Sequence, residues 1–236
     1  MKKTFPLIFI FLILSTSFAQ DKDDKRPFTE TLMQEGYTFT STGSNRYFIL
    51  EPGYQLVLEG TEDVETVRLV ITVLDETKKI GDIETRIVEE NESVNGETIE
   101  ISRNFFAFCE QTSSVYYFGE EVDNYKDGEI VNHSGAWIAE GDNKAGIIMP
   151  GLILLGARYY QEIAPGIAMD RAEIISMTET LQTPAGNFTD CLKVQETTAL
   201  NPNEMEFKIH APGIGLIKDE DLLLVKYGYV KYGYVK

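Results

Sequence analysis

Hydrophobic and polar residues alternate along much of this chain with a period of two, the pattern of strands that bury one face. Tyr54–Glu59 (YQLVLE) and Ile83–Glu90 (IETRIVEE) alternate in this way, and Thr66–Leu74 (TVRLVITVL) is a β-branched run typical of a buried strand. No long amphipathic helical pattern is present in the sequence. Roughly a dozen short strands separated by turn residues predict an all-β fold, a curved antiparallel sheet in the form of a half-barrel or a sandwich.

Two dipeptides mark the turns of predicted hairpins. Asn95-Gly96 and Asp127-Gly128 combine residues that accept a positive φ, which the tight turns of hairpins require. The apolar stretch Ile147–Ala157 predicts a further buried strand, although Pro150 and Gly151 interrupt it.

The N-terminus has the three parts of a secretory signal peptide. Lys2 and Lys3 form a basic start, Phe5–Leu14 is apolar, and the small residues Ser17 and Ala19 stand where a signal peptidase reads the chain. The apolar run is shorter than the ~20 residues of a membrane helix. The sequence therefore predicts cleavage after Ala19 and a periplasmic or secreted protein.

Domain limits follow from these patterns. The charged segment DKDDKR and the Ser/Thr/Gly-rich segment TFTSTGSN come before the regular strand pattern, and the tandem repeat YGYVK ends the chain. We predict one β domain preceded by a partly disordered leader or linker. The predicted limits are 1–19 for the signal peptide, 20–46 for the leader, 47–228 for the domain and 229–236 for a tail.

Charge excludes some partners. The chain has 38 acidic and 21 basic residues and a formal net charge of −17, which becomes more negative when Lys2 and Lys3 leave with the signal peptide. Such a surface repels nucleic acid and anionic lipid. Beyond the signal peptide no segment approaches the ~20 apolar residues of a membrane span.

The two cysteines, Cys109 and Cys191, suit a disulfide in an exported protein. We predict a Cys109–Cys191 bridge that stabilises the fold without redox chemistry, because no CxxC arrangement lowers either thiol pKa. The alternative is a pair of buried free thiols that lie too far apart to be joined.

Four segments carry a resemblance to a known group of proteins. They are Ile49–Gly60 (ILEPGYQLVLEG), Met149–Glu162 (MPGLILLGARYYQE), Thr183–Val194 (TPAGNFTDCLKV) and His210–Gly228 (HAPGIGLIKDEDLLLVKYG). Together they resemble exported bacterial β-proteins of unknown function that share a closing motif TPAGxFxxCxxV…YAPGVGLVK. The resemblance implies a curved antiparallel sheet in the periplasm or at the cell surface, and it implies no reaction.

Motifs for catalysis are absent from the sequence. The chain has two histidines, His133 and His210, and lacks GxSxG, HExxH, Walker and GxGxxG patterns. We therefore predict a protein that is not an enzyme and that needs no cofactor.

A cation is one alternative ligand. Glu120, Glu121, Asp123 and Asp127 cluster within GEEVDNYKDGE, and calcium is bound by oxygen-rich loops of this composition. The spacing matches no EF-hand, however, and acidic turns such as this are usually solvated without a bound ion.

The segment around Tyr159 is the best candidate for ligand binding. Tyr159, Tyr160, Glu162, Asp170 and Arg171 lie close together in sequence, and a curved sheet can enclose an apolar molecule. The predicted partner is an unknown protein or an apolar small molecule. Two alternatives remain: the tyrosines pack inside while the charges pair on the surface, or Glu162 and Asp170 act as acid and base in a hydrolase.

Overall fold

The computed structural model describes residues 26–30, 33–62 and 64–230. These residues form 18 strands and no helix, so the predicted all-β fold is confirmed. Accordingly, the described part of the chain holds no helix with the length and hydropathy needed to cross a membrane. The strands are β1 (Phe39–Thr40), β2 (Gly43–Ser44), β3 (Ile49–Leu50), β4 (Tyr54–Glu62), β5 (Glu65–Ile80), β6 (Ile83–Val94), β7 (Glu97–Cys109), β8 (Val115–Lys126), β9 (Glu129–Asn132), β10 (Trp137–Ile138), β11 (Lys144–Met149), β12 (Arg158–Tyr160), β13 (Glu162–Ile163), β14 (Asp170–Thr183), β15 (Gly186–Thr198), β16 (Met205–Ala211), β17 (Gly215–Asp219) and β18 (Leu222–Tyr229).

A path of 13 strands makes up the main sheet, and neighbouring strands are antiparallel. The order is β12-β14-β15-β16-β17-β18-β4-β5-β6-β7-β8-β11-β13, with β1, β9 and β10 paired at the side of β7 and β8. The two end strands, β12 and β13, are separated in the chain by Gln161 alone. We call residues 158–163 the closing strand, because its first half pairs with β14 and its second half with β11. The sheet is thereby nearly closed into a barrel-like shape.

Gly146 allows β11 to approach the closing strand. A Cβ at this position would lie 2.4 Å from the backbone oxygens of both Tyr160 and Gln161. Backbone atoms in a paired sheet cannot move aside cheaply, so only glycine fits here.

The two predicted hairpin turns are present. Asn95 and Gly96 have φ values of 51° and 86° between β6 and β7, and Asp127 and Gly128 have φ values of 53° and 81° between β8 and β9. These are the left-handed conformations that the dipeptides predicted.

The sheet carries hydrophobic clusters on both faces. The inner cluster fills part of the barrel-like interior and includes Leu58, Ile174 and Leu224, each with 0% of its surface exposed. The outer cluster lies around β7 and β8, where Phe39 of β1 packs edge-on against Tyr116 at a centroid distance of 5.3 Å. Both faces of β7 are therefore covered: apolar side chains are buried on its outer face, and its inner face is turned to the interior of the sheet.

The predicted domain start at Tyr47 is too late. Thr29 pairs with Tyr159 of the closing strand, and β1 pairs with β7. Part of the predicted leader thus belongs to the folded unit, because its apolar side chains cover the outer face of the sheet. The signal peptide and the second copy of YGYVK lie outside the described residues.

The predicted strand over Ile147–Ala157 is wrong in its second half. β11 ends at Met149, and Leu152, Leu154 and Leu155 are 73%, 57% and 67% exposed. Pro150 and Gly151 end the strand, because proline cannot donate a ladder hydrogen bond.

The predicted disulfide is also wrong: Cys109 and Cys191 are both free and buried. Cys109 belongs to the outer cluster on β7, and Cys191 to the inner cluster on β15. Residues on opposite faces of distant strands cannot bring their sulfur atoms to bonding distance. The alternative of two buried thiols describes the fold correctly.

Candidate functional site

The barrel-like sheet encloses a cavity of about 410 Å³. Its lining changes in character along the strands. On β6 the inward residues run from Val88 to Glu90, and on β7 they run from Phe106 back to Glu100, toward the hairpin at residues 95–96. We call the region beyond Val88 and Phe106 the acidic end of the cavity.

Most strands contribute to the acidic end, because each turns its alternate residues inward. Antiparallel pairing brings the end of β15 beside the start of β14 and of β16, which places their polar residues at the same level. The acidic and basic residues that line the cavity are Glu90, Glu100, Glu120, Glu162, Asp170, Glu196, Lys208 and His210. The opposite end is apolar and includes Phe48, Ile49, Ile148 and Ile214.

Lys208 is held by two carboxylates. Its Nζ lies 3.0 Å from Glu196 Oε2 and 3.8 Å from Asp219 Oδ2, and Gln161 Nε2 donates to Glu196 Oε1 at 2.8 Å. Burial acts to raise the pKa of Glu196, but Lys208 and Gln161 outweigh it, so this pKa is lowered. Burial acts to lower the pKa of Lys208, but Glu196 and Asp219 raise it well above its usual range. Lys208 and Glu196 are therefore both charged.

Glu90 and Glu120 are compensated only in part, so burial dominates the pKa of each. Burial raises the pKa of Glu90 to about 7, against the opposing attraction of Lys208. Burial also raises the pKa of Glu120 to about 7, where a hydrogen bond with Tyr117 opposes the increase and the Glu90 carboxylate adds to it. Both side chains face the cavity, so each titrates near neutral pH in a position that a bound molecule can reach.

Glu162 and Asp170 form a second unit at the acidic end. The backbone N–H of Asp170 donates to Glu162 Oε1 at 2.6 Å, which ties the closing strand to the start of β14. Burial raises the pKa of Glu162 well above its ordinary value, and the Asp170 charge contributes in the same direction. Burial likewise raises the pKa of Asp170. Both carboxyl groups therefore give up their proton less readily than a carboxyl group in water does.

His210 is neutral in this environment, because burial lowers its pKa to about 4. Among the described residues its Nδ1 atom has no hydrogen-bond partner. Because His210 is neutral, Lys208 is the one positively charged side chain among the described residues that line the cavity.

The five residues predicted for ligand binding are divided between three places. Glu162 and Asp170 line the cavity, whereas Tyr160 and Arg171 line a groove on the outer face of the sheet. Tyr159 is 5% exposed and belongs to the inner core. The structure thus separates the predicted residues, because the alternation of a strand sends neighbouring residues to opposite faces.

The predicted calcium residues do not converge. Glu120 faces the cavity, Glu121 forms an ion pair on the outer surface, Asp123 lies 2.8 Å from His133, and Asp127 is in the hairpin turn. Within residues 26–30, 33–62 and 64–230, no group of three or more histidine, cysteine, aspartate or glutamate residues is arranged to hold a metal ion. The four side chains point in different directions, because three of them alternate along β8 and the fourth follows the strand in the turn.

Sequence analysis missed Glu90, Glu100, Glu196 and Lys208. Each is a polar residue within an alternating strand, and such residues are usually solvated. No local sequence signal distinguishes them, because the strand register decides which residues of a strand face the cavity.

Comparison with known proteins places the chain in no family. No protein-family model matches it, and no curated protein matches it. A solved structure of a "putative lipoprotein" from Parabacteroides distasonis ATCC 8503 is similar, with 14% sequence identity and a TM-score of 0.39 over 79% of this chain and 100% of that chain. The fold and the site define the class of this protein as all-β and barrel-like, with a cavity that is acidic at one end and apolar at the other.

Proposed function

We propose that this protein is an exported, non-enzymatic binding protein that holds a small amphiphilic molecule inside its barrel-like sheet. The observation that carries the proposal is the cavity of about 410 Å³ with an apolar and an acidic end. Ligand sites typically have volumes of about 300–1,000 Å³ and combine an apolar lining with a few polar groups. The apolar end suits the apolar ligand expected from the sequence, and the acidic end suits a polar head group on that ligand.

Export is supported by the N-terminal sequence pattern of Lys2, Lys3 and the apolar run Phe5–Leu14. The resemblance of the closing segments to exported bacterial β-proteins supports the same location. N-terminal sequencing of protein from the native host tests this part of the proposal: we expect a start at Gln20, and an intact Met1 in the cytosol would contradict it.

Binding can be tested with the uncharged dye N-phenyl-1-naphthylamine, whose fluorescence increases in apolar surroundings. We expect saturable binding to the wild-type protein and strong loss of binding in Ala168→Trp, because Ala168 lines the cavity and the indole would fill it. The matched control is Ile167→Trp, since Ile167 is the preceding residue and is 47% exposed. Equal dye binding by both variants would show that the dye binds elsewhere, and no binding by the wild type would contradict the proposal.

Acid–base catalysis on the bound molecule is a second candidate, favoured by one observation. Glu90 and Glu120 both have a pKa of about 7 and face the same cavity. Glu162 and Asp170 also line this cavity, and burial raises the pKa of each. A protonated carboxyl group could donate a proton to a leaving group while a neighbouring carboxylate activates water. Turnover of p-nitrophenyl esters or glycosides that is lost in Glu120→Gln would support this candidate, and no turnover of either substrate class would count against it.

A further inference from the structure

The cavity has an excess of carboxylates over cations. Six carboxyl groups line it, whereas Lys208 is the cationic side chain of the described lining and His210 is neutral. Lys208 is already engaged by Glu196 at 3.0 Å and by Asp219 at 3.8 Å. Among the described residues no cation lies within ion-pair distance of the remaining acidic residues of the lining, and Lys208 attracts Glu90 and Asp170 only from farther away.

Glu90 shows this excess most clearly. It keeps part of its surface accessible because it faces the cavity, yet protein surrounds it closely enough for burial to raise its pKa to about 7. Burial is the largest influence on its carboxyl group, and the attraction of Lys208 offsets it only in part. Ionising a carboxyl group in such surroundings is costly, and a ligand that donates hydrogen bonds would relieve that cost.

The arrangement of the carboxyl groups favours an organic cation over a metal ion. Glu90, Glu100 and Glu120 project from three neighbouring strands, β6, β7 and β8, and no described group of residues is arranged to hold a metal ion. An ammonium group has three N–H donors that can reach separate acceptors, and its alkyl chain suits the apolar end of the cavity. A carboxylate or phosphate head would instead meet like charges.

We propose that the molecule held in the cavity carries a protonated amine, with its cationic head among Glu90, Glu100 and Glu120 and its apolar body between Phe48 and Ile148. This inference rests on the proposed function, because it names the chemical class of the ligand for the same cavity. A primary alkylamine and a quaternary alkylammonium are the two simplest members of that class.

Binding of a cation should be linked to proton release. The ammonium charge favours the ionised form of Glu90 and Glu120, so a protein that holds protons there near neutral pH must lose them when the amine binds. A primary alkylamine resembles the lysine side chain and stays protonated up to about pH 10. The titratable and charged groups that face this pair are Glu100, Tyr117, Asp170, Glu196, Lys208 and Asp219. Affinity should therefore rise between about pH 6 and about pH 8.

Isothermal titration calorimetry with four probes of equal chain length tests the inference: octylamine, octyltrimethylammonium, octan-1-ol and octanoate. We expect both cations to bind at least about tenfold more tightly than octan-1-ol, and octanoate to bind most weakly. Titrations of octylamine in phosphate and in Tris should give different apparent enthalpies, because the buffer takes up the released protons. These measurements need no substitution and so do not depend on the folding of a variant.

Two variants locate the effect. Glu90→Gln and Glu120→Gln should each lower octylamine affinity at least about tenfold at pH near 8 and leave octan-1-ol affinity nearly unchanged. Glu97→Gln is the matched control, because Glu97 is an exposed residue at the start of β7. Equal affinity for octylamine and octan-1-ol, or tighter binding of octanoate, would overturn the inference while leaving the proposed function standing. Failure of all four probes and of N-phenyl-1-naphthylamine would overturn both.

Discussion

Lys208 on β16 and Glu196 on β15 form an ion pair inside the sheet, with Nζ and Oε2 3.0 Å apart. The two residues occupy diagonal positions on paired strands, since Lys208 lies opposite Val194 in the register. Their side chains are 26% and 15% exposed, so the pair is largely withdrawn from water. The acidic end of the cavity is built around this one cation.

Removal of the lysine charge should destabilise the fold. Lys208→Met leaves Glu196 and Asp219 without their cation, and an uncompensated buried charge costs about 3 kcal/mol. We expect the free energy of unfolding in urea to fall by about that amount near pH 7. The double variant Lys208→Met/Glu196→Gln should recover much of the loss, and an unchanged stability in the single variant would contradict the predicted role of the pair.

The all-β fold could be predicted because its signals are local. Alternation predicted β4 and β6, and Asn95-Gly96 predicted the hairpin between β6 and β7, since each of these signals depends only on neighbouring residues. Closure of the sheet could not be predicted in the same way. It depends on Gln161, a single residue at which the closing strand changes its pairing partner from β14 to β11.

The acidic end could not be predicted because of how β7 is oriented. A strand usually turns its apolar face to the enclosed interior and its polar face outward, and this part of β7 does the opposite. Phe105 and Cys109 face the outer cluster, where Phe39 covers them, while Ser102 and Asn104 face the interior. Alternation in the sequence identifies two faces but does not tell which one is enclosed. The covering segment of β1 is far away in the sequence, so only the folded structure reveals the reversal.

The raised pKa of Glu90 predicts a fall in stability as the pH increases. Glu90 has a pKa of about 7 in the folded protein, and Lys208, Asp219, Glu100 and Glu196 are the charges that face it. A glutamate in the unfolded chain has a pKa of about 4.3, so the folded state binds the proton more tightly. The stabilisation from this proton is complete below about pH 4 and is lost as the pH rises through about 7.

Urea denaturation between about pH 4.5 and about pH 8 measures this effect. Glu90→Gln should reduce the fall in unfolding free energy over this range by about 1–3 kcal/mol, because the amide does not ionise. Glu97→Gln, a change at an exposed position, should leave the slope as in the wild type. A wild-type stability that increases steadily over this range would contradict the prediction.

The two cysteines should titrate as free thiols. Cys109 Sγ lies 3.6 Å from Gln111 Oε1 and Cys191 Sγ lies 3.6 Å from Thr189 O, on opposite faces of the sheet. We expect two reactive thiols per chain in denatured, non-reduced protein, and very slow reaction in the native state because both are buried. A count of none would show a disulfide and contradict the structure.

The last prediction concerns Phe28, which fastens the N-terminal segment to the closing strand. Its ring centroid lies 4.1 Å from the Arg158 guanidinium and 4.7 Å from that of Arg171, and the next residue, Thr29, accepts a 3.1 Å hydrogen bond from the backbone N–H of Tyr160. Each cation–π contact stabilises by about 0.5–1 kcal/mol, so Phe28→Ala should make local opening at this strand about 1–2 kcal/mol easier. Hydrogen exchange followed residue by residue should then show about 5- to 30-fold faster exchange of the Tyr160 amide. Phe28→Tyr is the control, because it keeps the aromatic ring and should exchange nearly as the wild type does. An unchanged Tyr160 exchange rate in Phe28→Ala would mean that Phe28 does not fasten this segment.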